Sequence, residues 1–298
     1  MPGSAAMPRH TPAMDATAAA HKLDNEPAAI AEALRGHVAA GNVVLPTLPD
    51  LALQINDLTQ SDKATAANVS AAIARDPAIA ARIIQSANSA YSASRNRAQS
   101  VQAAVTRLGL QYTRSLVNRI SLEQMFLASS PLLQRIARDT WTRSLGVAAL
   151  SEAIARERTD LPADTAMLAG LLHRIGSLPL IRIADENLHL VEDEAAFTAA
   201  VEQLHPSLGQ MLLKRWQFPP LFHDIPVAAS HAQRFHAGAA DLPDVVVAAK
   251  YGWSIDRDAE AEPTLSALDR LGLVPGVNFL ERNELSEAFE RASERLAI

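Results

Sequence analysis

Nine histidines and no cysteine bound the chemistry open to this 298-residue chain. Without thiols, disulfide scaffolds, thiolate zinc sites, iron–sulfur clusters and cysteine nucleophiles are excluded. The twelve glycines are scattered, and none stands in the Gly-x-Gly spacing that lets a backbone close around a pyrophosphate. A Walker A lysine loop, a Gly-x-Ser-x-Gly elbow and a His-Glu-x-x-His zinc helix are missing as well. His173 is the most informative histidine. It follows Met167-Leu168-Ala169-Gly170-Leu171-Leu172 and precedes Arg174-Ile175-Gly176. Leu168, Leu171, Leu172 and Ile175 make one apolar helical face, while Ala166, Ala169, Gly170 and His173 gather on another side, where small residues permit close approach of a second helix. Such a histidine is buried, and a buried imidazole is either a core residue with hydrogen-bond partners, the plainer reading, or a ligand. Arg143 shares a helix side with Ile136, Thr140, Val147, Leu150 and Ile154. Either it snorkels or pairs with a carboxylate such as Asp139, or it faces an internal site. His231 and His236 sit among Ser, Ala and Gln without a supporting carboxylate motif, a weak metal signal. Trp141, Trp216 and Trp253 are dispersed and suit core packing better than base stacking.

The elements that position these residues are helices. From Glu26 onward Ala, Leu, Ile, Arg and Glu recur at helical spacing, and alternating Val/Ile runs are almost absent, so the fold class is all-α. Residues 1–27, rich in Pro, Ala, Met, His and Thr, are expected to form a disordered tail. Thr47 is placed to cap a helix reaching about Gln60 with Pro49 in its first turn, and Asp76-Pro77 opens one ending near Asn88. Residues 89–99 read as a loop, after which Ser100 caps a helix that Gly109 stops, and a further helix runs over about 110–126. Ser130-Pro131 opens the longest segment, to about Arg158, and marks the boundary between two helical lobes. The spacing predicts helices over about 163–175, 178–187, 193–204, 207–217, 220–230 and 243–253. A polar stretch, a short helix near 265–271 and a charged helix over 282–296 follow. The charged helix reads as a solvated face.

Charge and composition exclude broad classes. With 27 Lys and Arg against 33 Asp and Glu the net charge is -6, which offers phosphate backbones or anionic lipid no overall attraction. General nucleic-acid binding is therefore not expected, and neither is a membrane span, since no run of about 18 apolar residues occurs. No uninterrupted apolar signal segment is visible, and the expectation is a cytoplasmic protein.

The order of motifs carries more than any one of them. LPTLP at 45–49, ARDPAIAARIIQSANSAY at 74–91, SVQAAVTRLGL at 100–110, TWTRSLGVAALSEAIA at 140–155, AGLLHRIGSLPL at 169–180 and HPSLGQMLLKRWQFP at 205–219 together resemble the HDOD (HD-related output) domain family of bacterial signalling proteins. The resemblance covers about 45–253. It implies a two-lobed helical fold, with an N-terminal lobe over 28–129, an HD-like lobe over 130–253 and a C-terminal helical extension over 254–298. It also implies that the histidine–aspartate pair of metal-binding HD relatives falls at His173 and Arg174, an earlier histidine near Arg143, a His-His pair near Ser230 and His231, and a late aspartate near Lys250. Only His173 and His231 keep ligand chemistry there. Arginine cannot ligate a metal, and its fixed charge repels one.

The expectation is thus a non-catalytic signal-transduction protein with no metal and no cofactor, acting through a partner protein or a small phosphorylated ligand. Its candidate pocket comprises Arg143, His173, Arg174, His231 and Lys250. No receiver, cyclase or phosphodiesterase domain fits in the remaining residues, so input is expected from another polypeptide or a ligand. The alternative is a divergent HD-type metal-dependent phosphohydrolase acting on a nucleotide or cyclic dinucleotide. Local carboxylates such as Asp139, Glu152, Asp185 or Asp224 are the expected neutralisers of the cations.

Overall fold

The computed structural model describes residues 27–40, 46–61, 64–89, 97–231, 234, 236–255, 266–274 and 283–296, and among them every regular element is helical. The expected tail up to residue 26, the middle of the loop over 89–99 and most of the polar stretch after Trp253 lie outside those residues. Helix α1 (Pro27–Ala39) buries Ile30, Ala31 and Leu34. Helix α2 (Asp50–Gln60) follows Pro49, which stands at the cap position with no side-chain hydrogen bond, so Thr47 is not the cap. Helix α3 (Ala66–Ile73), begun by the Thr65 side chain accepting from the Asn68 amide, carries no proline and escaped the sequence reading. In α4 (Pro77–Ser89) Asp76 Oδ1 accepts from the amides of Ala78 and Ile79 at 3.0 Å, which satisfies two of the orphan donors at a helix start. Ser100 does the same for α5 (Val101–Leu108), and Gly109, at φ 82°, turns the chain into α6 (Leu110–Glu123). That left-handed backbone is the reason glycine stands there.

The second half is built around α7 (Pro131–Arg158), whose bounds coincide with those expected. Helices α8 (Ala163–Leu172) and α9 (Ser177–Glu186) follow, then a 3-10 turn (Leu188–Val191) and α10 (Glu194–Arg215). Two helices were expected over 193–217 with a break at Pro206. The structure instead carries Pro206 inside one continuous helix. Val201, Leu204 and His205 before it and Leu208, Gly209 and Leu212 after it bury one face in the same core, and that shared burial outweighs the missing amide hydrogen bond. The reverse happens over 220–230, where α11 (Pro220–His223) and α12 (Ile225–Ala228) are separate and Pro226 sits in the first turn of the second. Helices α13 (Leu242–Ile255), α14 (Ser266–Arg270) and α15 (Asn283–Leu296) complete the order.

Helices α8, α13 and α15 pack on α7, and α10 packs on α9, α11 and α12. Helix α1, assigned by sequence to the first lobe, also rests on α10 and α9, while α6 touches both α2 and α8. The small residues do what their spacing suggested: a Cβ on Gly170 would lie 2.7 Å from Ala148 Cα, and one on Gly176 would lie 1.9 Å from the His205 carbonyl oxygen. By composition the stretch Ala163–Glu186 is long and apolar enough to cross a bilayer, yet 94% of its apolar 18-residue window is buried inside the protein, where the stretch forms α8 and α9. A run assembled from apolar and small residues with few charges passes the composition test although no 18 consecutive apolar residues occur.

Candidate functional site

Close approach of α8 to α7, and of α9 to α10, fixes where the turn at residues 173–176 can lie. His173 and Arg174 emerge from that turn, one 0% and the other 5% exposed. Beside them runs a cleft of about 390 Å³. One wall is α7, through Ile136, Asp139, Thr140 and Arg143 at helical spacing. The other is α10, through Glu194, Thr198 and Glu202 at steps of four, with Arg174 and Trp253 between the walls. Trp253 also lies against Gly146 of α7, where no side chain could fit.

Arg174 grips Glu202 with both ends of its guanidinium, Nη1 to Oε2 at 2.9 Å and Nη2 to Oε1 at 2.6 Å. Nε2 of His205 lies 3.5 Å from the same carboxylate. Burial alone would raise the Glu202 carboxyl, but the hydrogen bonds from His205 and Arg174, with the arginine charge, hold it far below the usual carboxylate range. Burial lowers His173, and the charges of Lys250 and Arg174 lower it further; the imidazole is neutral near pH 7. Its Nδ1–H donates to the Gly170 carbonyl oxygen at 2.5 Å, which leaves the Nε2 lone pair without a hydrogen-bond partner in the protein. His205 is likewise lowered, chiefly by burial, and its Nδ1 has no partner. Lys250 donates to the Ala229 carbonyl oxygen at 2.7 Å. Burial, then the charges of Arg174 and Arg143 working against Glu202, brings it down to about 8.

Four of the five candidate residues are therefore brought together. Arg143 and Arg174 line the cleft, and Lys250 and His173 lie within electrostatic reach of Arg174. His231 does not join them: it is exposed, and its Nδ1 is 2.8 Å from the Val227 carbonyl oxygen. Of the expected carboxylates Asp139 lines the cleft, and the other three are engaged elsewhere. Asp139 lies 4.0 Å from Arg135, Glu152 pairs with Arg156, Asp185 accepts from the Ser129 and Ser130 amides, and Asp224 accepts from Gln210. The neutraliser is Glu202, which the sequence reading missed along with His205. Their i, i+3 spacing just ahead of Pro206 was visible; that this turn faces Arg174 was not.

A binuclear metal centre does not fit these residues. It needs several ligands, carboxylates among them, free to meet the ions. Here two buried imidazole nitrogens are unpartnered, but of the carboxylates lining the cleft Glu202 is held by Arg174 and Glu194 by Arg135, Asp139 lies 4.0 Å from Arg135, and the cations Arg143, Arg174 and Lys250 stand nearby. A second cluster, His236, Asp241 and Asp244, has metal-like spacing. However, Asp244 already accepts from Arg234, Arg270 and His236 at 2.7–2.9 Å, so it is a buried ion-pair hub and not an open ligand set.

No curated protein matches the chain. Among solved structures, it is similar to a protein of Shewanella amazonensis SB2B named as a candidate metal-dependent phosphohydrolase, at 24% identity and TM-score 0.76 over 92% of this chain and 99% of that one. An HDOD domain protein of unknown function from Geobacter sulfurreducens matches at 24% identity and TM-score 0.60, over 89% and 91% of the two chains. A candidate signal transduction protein from Marinobacter aquaeolei VT8 matches at 20% identity and TM-score 0.62, over 91% and 67%. At these identities the likeness concerns the fold. The HDOD domain profile itself matches residues 45–233, more than half of the chain and every cleft-lining residue but Trp253, and the chain belongs to the HDOD domain family.

Proposed function

We propose that this protein is a non-catalytic regulator that acts in the cytoplasm by binding a partner protein or a small signalling ligand at the α7–α10 cleft. The observation that carries this reading is the ion pair in which Arg174, where the family resemblance implies a metal-ligating aspartate, holds Glu202 within electrostatic reach of Lys250. Cations at ligand positions raise the energy of any bound metal and leave no group able to lower the pKa of a metal-bound water. The purified full chain should carry well under one Mn, Fe, Mg or Zn per chain and release no product from nucleotides or phosphodiesters. Elemental analysis with about two metals per chain, together with turnover abolished by His173→Ala, would overturn the proposal.

One observation favours the alternative, a divergent metal-dependent phosphohydrolase. The lone pairs of His173 Nε2 and His205 Nδ1 have no partner in the protein, and each could hold a metal if Lys250 were displaced. The same metal analysis, run after incubation with Mn²⁺ and Fe²⁺, separates the two readings.

A further inference from the structure

We propose that the cleft binds a small phosphate-bearing anion on Arg143 and Arg174, within electrostatic reach of Lys250, and that Glu202 is a built-in stand-in for that anion which swings out when the ligand arrives. The inference rests on the regulatory reading above and gives its ligand a chemistry. Arg174 meets Glu202 in the two-point, fork-to-carboxylate geometry that guanidinium groups use equally for phosphate. The two partners differ in freedom. The Arg174 side chain is 6% exposed and anchored in the turn after α8, whereas Glu202 is 43% exposed on the α10 wall. The carboxylate can leave for water, but the guanidinium cannot follow. Once it leaves, the buried Arg174 lines the cleft beside Arg143 with the Lys250 charge within electrostatic reach, and a buried cation without a counter-ion is unfavourable enough to draw an anion in. At about 390 Å³ the cleft has the size of a small-molecule site. Thr140 and Thr198, on opposite walls, add hydroxyl groups suited to phosphate oxygens.

The test is titration calorimetry of the full chain with inorganic pyrophosphate at about 0.15 M salt, where loose surface association is screened. Pyrophosphate should bind saturably, one per chain. Arg143→Gln, at an exposed position, should weaken binding about tenfold, the effect of one charged hydrogen-bonding partner. Glu202→Gln, which removes the competing charge, should tighten it about tenfold. The double variant Arg174→Gln, Glu202→Gln removes the ion pair as a unit and so protects the fold; it should bind more weakly than Glu202→Gln alone. Absence of saturable binding, an Arg143→Gln affinity equal to that of the parent, or weaker binding by folded Glu202→Gln would overturn the inference. None of these outcomes would touch the regulatory reading, which fails instead if pyrophosphate is hydrolysed in the presence of Mn²⁺.

Discussion

His173 and His205 are buried imidazoles kept neutral by their surroundings, and their acid response follows from that. Lys250 of α13 and Arg174 of the adjoining turn both bear on His173, with the Gly170 carbonyl as its hydrogen-bond partner and His205 as a further neighbour. The folded pKa of His173 lies well below its ordinary value of 6.5, so the unfolded chain takes up the proton first. Its contribution to stability is fully present above pH 6.5 and is lost as pH falls below it, by up to about 1.4 kcal/mol per pH unit for each such proton. Glu202, whose carboxyl is also held low, adds its own loss only below the ordinary carboxylate range and does not confuse this window. Urea unfolding at pH 7.5 and 5.5 should therefore show a steeper loss for the parent than for His173→Gln, and equal losses would contradict the argument. The ion pair gives a second expectation. Glu202→Leu should destabilise by about 1–3 kcal/mol, less than for a fully buried pair because Glu202 is half-exposed, and adding Arg174→Leu should recover much of that loss. Single-variant and double-variant midpoints that simply add would argue against coupling. At this scale Arg143, His173 and Arg174 could be singled out from motif order, since each lies inside a quoted motif, whereas Lys250 lies past the last motif and was placed by the family resemblance alone. Glu202 was not legible, because its role is set by a contact 28 residues away.

The helices show where local chemistry decides and where packing does. Asp76, Ser100 and Ser130 start their helices as expected, because a cap is a contact between residues two or three apart. Pro206 and Pro226 look alike in sequence and behave oppositely, since one stands in a helix buried on both sides of it and the other pairs with a break at Asp224. The end of α10 carries a testable strain. Gln217 has φ 54°, its amide donates to Lys214, and the Phe218 amide reaches back to Leu213, a closing pattern in which glycine is the usual residue at the left-handed position. Gln217→Gly should raise stability by about 0.5–1 kcal/mol in urea unfolding; a loss would show that the Gln217 side chain makes contacts that outweigh the strain. Gly176 has the opposite sensitivity. A Cβ there would lie 1.9 Å from the His205 carbonyl oxygen and 2.4 Å from the Gly209 amide nitrogen, both backbone atoms that cannot swing aside. Gly176→Ala should destabilise by about 2 kcal/mol or more and part the turn bearing Arg174 from α10. An alanine variant as stable as the parent would mean that this crossing is looser than drawn.

Across the whole molecule, the division into lobes near Ser130 meets a set of contacts that ignore it. Helix α1 precedes the first lobe in sequence, yet its buried Ile30, Ala31 and Leu34 belong to a helix that rests on α10 and α9. Trp216, past the end of α10, donates its indole N–H to the Pro46 carbonyl oxygen at 2.8 Å across 170 residues. Helix α6 carries the buried Asn118, whose amide exchanges hydrogen bonds with Asn56 of α2 at 2.8 and 3.2 Å, and the same helix packs on α8. Helix α15 closes the loop from the other end by packing on both α7 and α4. The Asn56–Asn118 pair lies within the first half, but the contacts of α1 with α10, of Trp216 with Pro46, of α6 with α8 and of α15 with α4 cross the boundary, so neither half can unfold without exposing groups that the other half covers. None of this was readable from periodicity, which reports the face a helix buries but not the helix that covers it. The consequence is that the two halves should melt as one cooperative unit in calorimetry, with equal calorimetric and van't Hoff enthalpies. A fragment ending near Ser129 should not fold by itself, because it would leave α1 without α10 and α6 without α8. Two separated transitions, or a fragment 28–129 with a sharp melt of its own, would show that the links across the boundary are weaker than their burial implies.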